Sequence, residues 1–411
     1  MKNWLCILGL LAVPTLAHDM APGEIQKRPV LITNATLHTA DQGVLAGSDI
    51  LFENGLITAL GPDLPVPDKA VVIEASGKHV YPGLIALSTR LGLSEVDAVR
   101  ATRDFSEVGD LTPEVAAEAA FNADSEIIPT VRANGIALAE VAPNGNLVAG
   151  RSAAMRLDGW NRRDMLVKAD TGLHLYWPDS ADSQALDGLK ALFGKARAYD
   201  ERRRQREDQP VDARLEPMRG LFSRQLPLFI HLSRQGQLTQ ALDFTAEQDL
   251  AWSLVAGPVA LTALAELKAR GVAVVATDPQ GLPDHEDAPY DQAFTLPARL
   301  HQAGLAPVIA LPAGWSARDL PFAVAQAMAW GLPEEAALRS VTLNAAKLLG
   351  IDQQYGSLAL GKSATLILTA APLFDYPDFG VEAMFIDGRK VNLDNRQKRL
   401  YRKYRQKGQG E

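Results

Sequence analysis

The sequence holds a single cysteine, Cys6, and that cysteine lies within an apolar stretch near the N-terminus. The stretch, residues 4–13, follows Lys2 and precedes the small residues of 15–17, a pattern typical of a secretory signal peptide over residues 1–17. About ten apolar residues are too few to span a bilayer, which needs roughly 20. A mature chain without cysteine has no disulfide and no thiol nucleophile, and we expect it in the periplasm or outside the cell.

Long apolar runs and an excess of positive charge are also missing. The formal net charge is −8, and no second apolar segment approaches membrane-spanning length. We therefore expect neither a membrane span nor a nucleic-acid partner. The exception is the C-terminus, where residues 389–411 carry nine Lys and Arg against Asp394 and Glu411. We interpret residues 394–411 as a solvated, partly helical basic tail, with an interaction tail as the alternative.

Both ends of the chain are rich in short β-type runs. Residues 30–32 and 48–52 are such runs, and Glu53-Asn54-Gly55 reads as the turn of a hairpin. Similar runs return at 365–368 and 383–386. The pattern predicts a small composite β-sandwich domain made from residues 28–82 and 356–393.

Between these ends, residues 83–355 alternate apolar strands with helical stretches. This alternation predicts βα units and a parallel sheet. The candidate buried strands are residues 136–139, 228–230, 272–275 and 308–311.

Pro82-Gly83-Leu84-Ile85 and the residues after it resemble the first barrel strand of the amidohydrolase superfamily, which reads Pro-Gly-Leu-Ile-Asp-x-His-x-His. Residues 331–350 likewise resemble the helical segment that follows that barrel. The resemblance is closest to imidazolonepropionase-like amidohydrolases and covers nearly the whole mature chain. It implies an α/β fold, a (β/α)₈ TIM-like barrel, with the active site at the carboxyl ends of the strands. It also implies hydrolysis of non-peptide or cyclic amide carbon–nitrogen bonds, assisted by zinc or another divalent metal.

The metal ligands that the resemblance implies are mostly replaced. In the family, two His come from the first strand, one each from the fifth and sixth, and an Asp from the eighth. Here Ser88 and Arg90 occupy the first two places, residues 252–257 contain no His, and Ala313 takes the Asp place. Serine is a poor zinc ligand, and arginine does not lose its proton. His231 is the residual candidate ligand, so we expect no cofactor, since the ligands do not support a divalent metal.

Other residues are candidates to replace part of the missing ligand set. His231 is either a base or ligand at the end of the fifth strand or a hydrogen-bonded barrel histidine. Asp278 follows Thr277 as in the family's eighth-strand motif, although its order in the chain indicates the seventh strand. The acidic segment 284–287 around His285 is interpreted as a solvated loop. The remaining histidines that belong to no recognisable motif are His38, His79, His174 and His301.

Arg90 places a cation where the family places a metal. It can bind a carboxylate or phosphate, or polarise a carbonyl, with Ser88 beside it as a second substrate-binding residue. Alternatively, it forms a salt bridge with Glu95 or Glu107 that fills the former metal site.

Three functions remain open. The first is a hydrolase of a small-molecule amide, with His231 and Asp278 as base or ligand and Arg90 as electrophile. The second is a non-catalytic pseudoenzyme that forms a homo- or hetero-oligomer with another amidohydrolase. The third is a periplasmic protein that binds an anionic ligand through Arg90. We favour the hydrolase lineage, with weak or no metal-dependent hydrolysis.

Overall fold

In the computed structural model of this chain, the described residues are 21–145, 147–179, 181–206, 210–283, 286–376 and 379–408. The predicted signal peptide, residues 1–17, lies outside them, as do Asp284 and His285 of the acidic loop. No helix within these ranges is both long and apolar enough to cross a membrane.

The strands in chain order are β1 (Val30–His38), β2 (Val44–Glu53), β3 (Leu56–Gly61), β4 (Val71–Glu74), β5 (His79–Pro82), β6 (Leu84–Thr89), β7 (Ile136–Val141), β8 (Val148–Arg156), β9 (Leu166–Tyr176), β10 (Leu228–His231), β11 (Trp252–Ala256), β12 (Ala273–Thr277), β13 (Val308–Ala310), β14 (Leu366–Thr369), β15 (Val381–Ile386) and β16 (Arg389–Lys390). The α-helices are α1 (Ile127–Arg132), α2 (Arg162–Met165), α3 (Ser183–Gln205), α4 (Arg219–Phe222), α5 (Gln235–Gln248), α6 (Leu264–Ala269), α7 (Gln292–Gln302), α8 (Leu320–Ala329), α9 (Glu334–Ser340), α10 (Leu343–Leu349) and α11 (Arg396–Gly408). Short 3₁₀ helices cover Arg100–Thr102, Ala117–Ala119, Glu216–Met218, Pro258–Ala263 and Ser316–Asp319.

One sheet joins the two ends of the chain. Its order is β16-β15-β14-β5-β1-β2-β3, with β4 alongside β1. The late strand β14 pairs antiparallel with the early strand β5, so distant parts of the sequence share a layer. Asn54 and Gly55 join β2 to β3 with φ of 52° and 80°, the positive values that a tight hairpin turn requires. This hairpin and an additional sheet domain were both predicted from the sequence and are confirmed.

The second sheet runs β6 to β13 in chain order and curls into a nearly closed barrel. At the seam, the Arg90 N–H donates to the Pro312 carbonyl oxygen at 3.0 Å. The predicted TIM-like barrel is therefore confirmed.

One barrel strand departs from the predicted βα alternation. Strand β8 is antiparallel to both β7 and β9. Parallel strands need a crossover of about a dozen or more residues, and the connections 142–147 and 157–165 are too short for one. Hairpin-type links form instead, and the other seven strands still point the same way. Their carboxyl ends therefore share one rim.

The two faces of the first barrel strands are buried differently. Ala86 of β6 and Ala139 of β7 belong to a buried cluster with Val131 of α1 and Val324 of α8, on the helix-covered outside. Leu87 belongs instead to a cluster that includes barrel residues of β10, β11 and β12. The barrel is thus a packed frame, and side chains at its rim are held by strands fixed on both faces.

Candidate functional site

A cavity of about 380 Å³ opens at the shared rim of the barrel. Four residues predicted from the sequence line it together: Ser88, Arg90, His231 and Asp278. They meet because each lies at the carboxyl end of a parallel strand, where such barrels place their functional residues. Their convergence is a structural fact, while their roles remain predictions.

A hydrogen-bonded chain of three side chains ends at this cavity. Glu140 of β7 contacts His174 of β9, with Oε1 and Nε2 3.3 Å apart. His174 Nδ1 in turn lies 2.8 Å from His231 Nε2 at the end of β10. Glu140 and His174 have no exposed surface, whereas His231 lines the cavity. The chain therefore connects a buried carboxyl group to the cavity wall.

The buried Glu140 carboxyl has several hydrogen-bond donors. It accepts from the Ser88 N–H at 3.0 Å and from the Ser152 hydroxyl of β8 at 2.7 Å, besides the contact with His174. Burial alone would raise the pKa of Glu140, but hydrogen bonds from His174, Ser152 and the Ser88 N–H outweigh it and hold that pKa below its ordinary value. Glu140 is therefore a carboxylate at neutral pH.

The carboxylate fixes the direction of its own hydrogen bond with His174. An ionised Glu140 only accepts, so His174 carries a proton on Nε2. When Nδ1 of His174 is the acceptor in its bond with His231, His231 donates to it from Nε2. This pattern leaves the lone pair of His231 on Nδ1, which makes no hydrogen bond with any described residue. The arrangement prepares His231 to accept a proton.

Aromatic contacts hold both rings. His174 stacks on Phe229 with ring centroids 4.9 Å apart and planes 1° from parallel. A side chain on Gly172 would place its Cβ 2.2 Å from the Phe229 ring, so glycine provides the space for that stack. His231 stacks on Tyr176 at 4.1 Å. Since the stacking limits rotation, the hydrogen-bonded geometry is preorganised.

His231 is neutral at neutral pH. Burial first, and then the neighbouring His174, lower its pKa well below the ordinary histidine value. A neutral imidazole is the form that a general base requires.

Arg90 forms no ion pair with any described residue. Its guanidinium lies over the Phe105 ring, 4.8 Å from the centroid. The two acids considered as salt-bridge partners bond elsewhere: Glu95 accepts from Asn122 at 3.1 Å, and Glu107 from the Val108 N–H at 2.9 Å. The salt-bridge alternative is therefore not realised, and a half-buried cation faces the cavity.

Ser88 occupies a one-residue bulge in β6. Ala86 and Thr89 pair with Ala139 and Val141, so β6 uses one residue more than β7 over this stretch. Ser88 has φ of 54°, a left-handed conformation that is uncommon outside glycine. Its hydroxyl is buried and finds no hydrogen-bond partner among the described residues. Strain and an unsatisfied polar atom together are typical of functional positions.

Asp278 directly follows β12, the seventh strand counted from β6, as its place in the sequence indicated. It also has a left-handed backbone, with φ of 48°, and it lies exposed at the rim of the cavity. Asp278 thus carries a negative charge at the mouth, whereas Arg90 sits in the wall.

The described residues do not fit the divalent metal that the resemblance implies. No three His, Cys, Asp or Glu side chains in these ranges converge as a metal-binding group. Both ring nitrogens of His174 are engaged, by His231 and Glu140, and Arg90 adds a positive charge to the same cavity. A zinc site needs three or four protein ligands without a cation beside them.

Glu140 and His174 were missed by the sequence analysis. The candidate strand was ended at residue 139, and His174 belonged to no motif. A signal was present in both cases: Glu140 is the one charge in the apolar run Ile136–Val141, and His174 lies in the alternating strand β9. A lone charge in a buried strand requires a partner, and that requirement could have marked Glu140 as a candidate site residue.

Comparison with known proteins links part of this sequence to a known family. The sequence model of the amidohydrolase family matches residues 284–391. An amidohydrolase of Hapsidospora irregularis is 24% identical over 448 residues, which span 88% of this chain and 43% of that protein. A dihydroorotase of Mycobacterium tuberculosis is 32% identical over 114 residues, which span 26% of each. The chain thus spans less than half the length of these relatives.

The fold is shared with solved amidohydrolases. The crystal structure of an amidohydrolase from Thermotoga maritima MSB8 superposes with a TM-score of 0.81 at 22% identity, covering 88% of this chain and 99% of that one. Phenylurea hydrolase B superposes with a TM-score of 0.56 at 15% identity, covering 89% and 97%. At these identities the likeness concerns the fold. Residues 284–391 thus match the amidohydrolase family in sequence, and the chain as a whole shares the fold of a solved amidohydrolase.

Proposed function

We propose that this chain hydrolyses a carbon–nitrogen bond of a small amide or cyclic amide in the barrel-rim cavity, with His231 as the general base. The observation that carries the proposal is the Glu140–His174–His231 chain, which runs from a buried carboxylate to the cavity wall. A histidine oriented by a second group that a carboxylate fixes is the arrangement that general-base catalysis uses.

The proposed steps use this chain's own side chains. His231 Nδ1 takes a proton from water as the water oxygen bonds to the carbonyl carbon. The imidazolium that forms is stabilised because its Nε2 proton lies on the hydrogen bond to His174, which is itself bonded to the Glu140 carboxylate. The carbon–nitrogen bond then breaks, and His231 returns the proton to the leaving nitrogen, which gives a carboxylic acid and an amine.

A matched pair of variants tests the role of His231 as the general base. The His231→Ala variant is expected to lower kcat/KM by about 10²–10⁴-fold on N-acyl amino acids, dipeptides or cyclic amides. His79→Ala serves as the control, because His79 also contacts a histidine, His38 at 3.0 Å, but lies on β5 in the other sheet. Its kcat/KM is expected to stay within about twofold of the native value. Equal rates for His231→Ala and the native chain would contradict the assigned role.

Metal analysis tests the same proposal independently. We expect turnover to survive dialysis against a chelator, since the described residues offer no metal-binding group. One equivalent of tightly bound zinc per chain, lost together with activity, would overturn this mechanism. If the native chain turns over none of these amides, the non-catalytic partner-subunit role replaces the proposal.

We also propose that the protein acts in the periplasm or outside the cell, since residues 1–17 have the pattern of a secretory signal peptide. Detection of the mature chain in the cytoplasmic fraction with these residues intact would contradict this.

A further inference from the structure

Arg90 differs from three other enclosed arginines of this chain. Arg132, Arg151 and Arg156 are buried or half-buried, and each pairs with an aspartate: Asp158, Asp170 and Asp387, respectively. Arg90 is half-buried with no such partner among the described residues, and its visible support is the Phe105 ring. Removing a guanidinium from water without a counter-charge is costly, so Arg90 occupies its position at an energetic disadvantage.

Ser88 adds a second unsatisfied group to the same wall. Its hydroxyl has less than 1 Å² of exposed surface and no partner among the described residues, and the residue as a whole is 6% exposed. The backbone N–H of Ser88 is used by Glu140, which holds the residue in its left-handed conformation. The hydroxyl is therefore held, unpaired, beside the cavity that Arg90 and His231 also line.

The charges around the cavity favour the binding of an anionic ligand at the cavity wall. His231 is neutral, and burial raises the pKa of Tyr176, so the phenol is neutral as well. Asp278 supplies a negative charge, but at the exposed rim. Arg90 is thus a positive charge that no side chain of the described wall neutralises.

We propose that Arg90 and Ser88 form a carboxylate-binding subsite, and that the substrates of this chain are amides that carry a free carboxylate. A planar guanidinium matches the two oxygens of a carboxylate, and a serine hydroxyl can donate a further bond to one of them. A single arginine suits this monoanion better than a phosphate dianion. The substrate class rests on the proposed hydrolysis, whereas the subsite itself does not.

The test measures binding without turnover. The His231→Ala variant is titrated calorimetrically with N-acetyl derivatives of glycine, leucine, phenylalanine and glutamate. Each acid is compared with its uncharged primary amide of the same size, or for glutamate with the diamide. We expect at least one acid to bind 10-fold or more tightly than its matched amide. Equal binding of all acids and amides, or no binding of any acid, overturns the subsite.

Second substitutions, each made in the His231→Ala variant, test which side chain causes the preference for the acid over the amide. Adding Arg90→Gln is expected to remove the preference for the acid. Adding Arg197→Gln is the matched control, because Arg197 is also half-buried over an aromatic ring, Phe222 at 4.5 Å, but lies on α3 away from the cavity. Retained discrimination in Arg90→Gln, or its loss in Arg197→Gln, overturns the assignment.

Ser88→Gly separates binding from folding. Glycine tolerates the left-handed backbone and removes the unpaired hydroxyl, so the denaturation midpoint is expected to rise while the affinity for the acid falls about 3-fold or more. A purely structural serine would leave the affinity unchanged, which would exclude Ser88 from the subsite. The two proposals fail separately: acid preference without turnover in the native chain overturns only the hydrolase, and turnover without acid preference overturns only the subsite.

Discussion

Two histidine pairs in this chain are bonded alike, ring nitrogen to ring nitrogen, yet their surroundings differ. His38 Nε2 lies 3.0 Å from His79 Nδ1 in the sheet formed by the two chain ends, and His174 Nδ1 lies 2.8 Å from His231 Nε2 in the barrel. Each pair also stacks on a tyrosine at 4.1 Å. The barrel pair ends on a buried carboxylate and lines a cavity, whereas the outer pair hydrogen-bonds no carboxylate among the described residues. A histidine pair is therefore a candidate proton relay only when a fixed acceptor completes it.

The largest expected effect comes from removing that acceptor. Glu140→Gln replaces a carboxylate that accepts from Ser88, Ser152 and His174 with an amide whose NH₂ group cannot accept. We expect the free energy of unfolding to fall by about 3 kcal/mol, as for other broken buried charge networks. We also expect kcat/KM to fall by about 100-fold or more. Denaturant unfolding and steady-state kinetics measure the two effects.

Glu334→Gln is the control for the outer pair. The charge of Glu334 acts on His79 from an exposed position, so its loss is expected to change stability by less than about 0.5 kcal/mol. If Glu140→Gln proved equally mild, the contrast between the two pairs would not hold.

The pH dependence of stability gives an effect of at most similar size, to which the outer pair contributes. Burial first, and then His79, lower the pKa of His38 from 6.5 to about 4. The unfolded chain therefore binds more protons between these values. Stability from His38 is complete above about pH 6.5 and is lost as the pH falls through 4, by at most about 3 kcal/mol. Denaturant unfolding at several pH values measures the slope.

His38→Phe removes this titration and keeps an aromatic ring beside Tyr81. The variant is expected to lose that part of the acid-dependent slope, while the part due to His231 persists. An unchanged slope would show that His38 already titrates normally in the folded chain.

The smallest effects come from the two stacked tyrosines. Tyr176→Phe keeps the ring on His231 and removes one hydrogen bond, from the hydroxyl to the Pro143 carbonyl at 3.2 Å, so we expect a loss of about 1 kcal/mol. Tyr81→Phe leaves the buried Leu373 N–H without its acceptor and is expected to cost more, about 1–3 kcal/mol. Thermal or denaturant unfolding ranks them, and the reverse order would contradict this reasoning.

The sequence predicted the site residues at the ends of the barrel strands better than the buried residues behind them. Ser88, Arg90, His231 and Asp278 were found because each lies at the end of a strand with a recognisable motif or apolar run. Glu140 and His174 are 34 residues apart in sequence, and the strand between them runs against the expected βα order. Nothing local specifies that contact, since it depends on β8 turning back between β7 and β9. The unpaired state of Arg90 likewise depends on where Glu95 and Glu107 fold, which the sequence left open.

The extra residue in β6 also determines which face of the sheet the following side chains point to. Along an unbroken strand, side chains alternate between the two faces, so residues 86, 88 and 90 would all share the outward face of Ala86. The bulge brings Ala86 and Thr89 onto that face together, so the residues flanking Thr89 are turned to the inside. Ser88 and Arg90 thus reach the cavity through one inserted backbone unit. If the same residues formed an unbroken strand continuing from Ala86, every side chain would be chemically intact, yet both of them would face the helices.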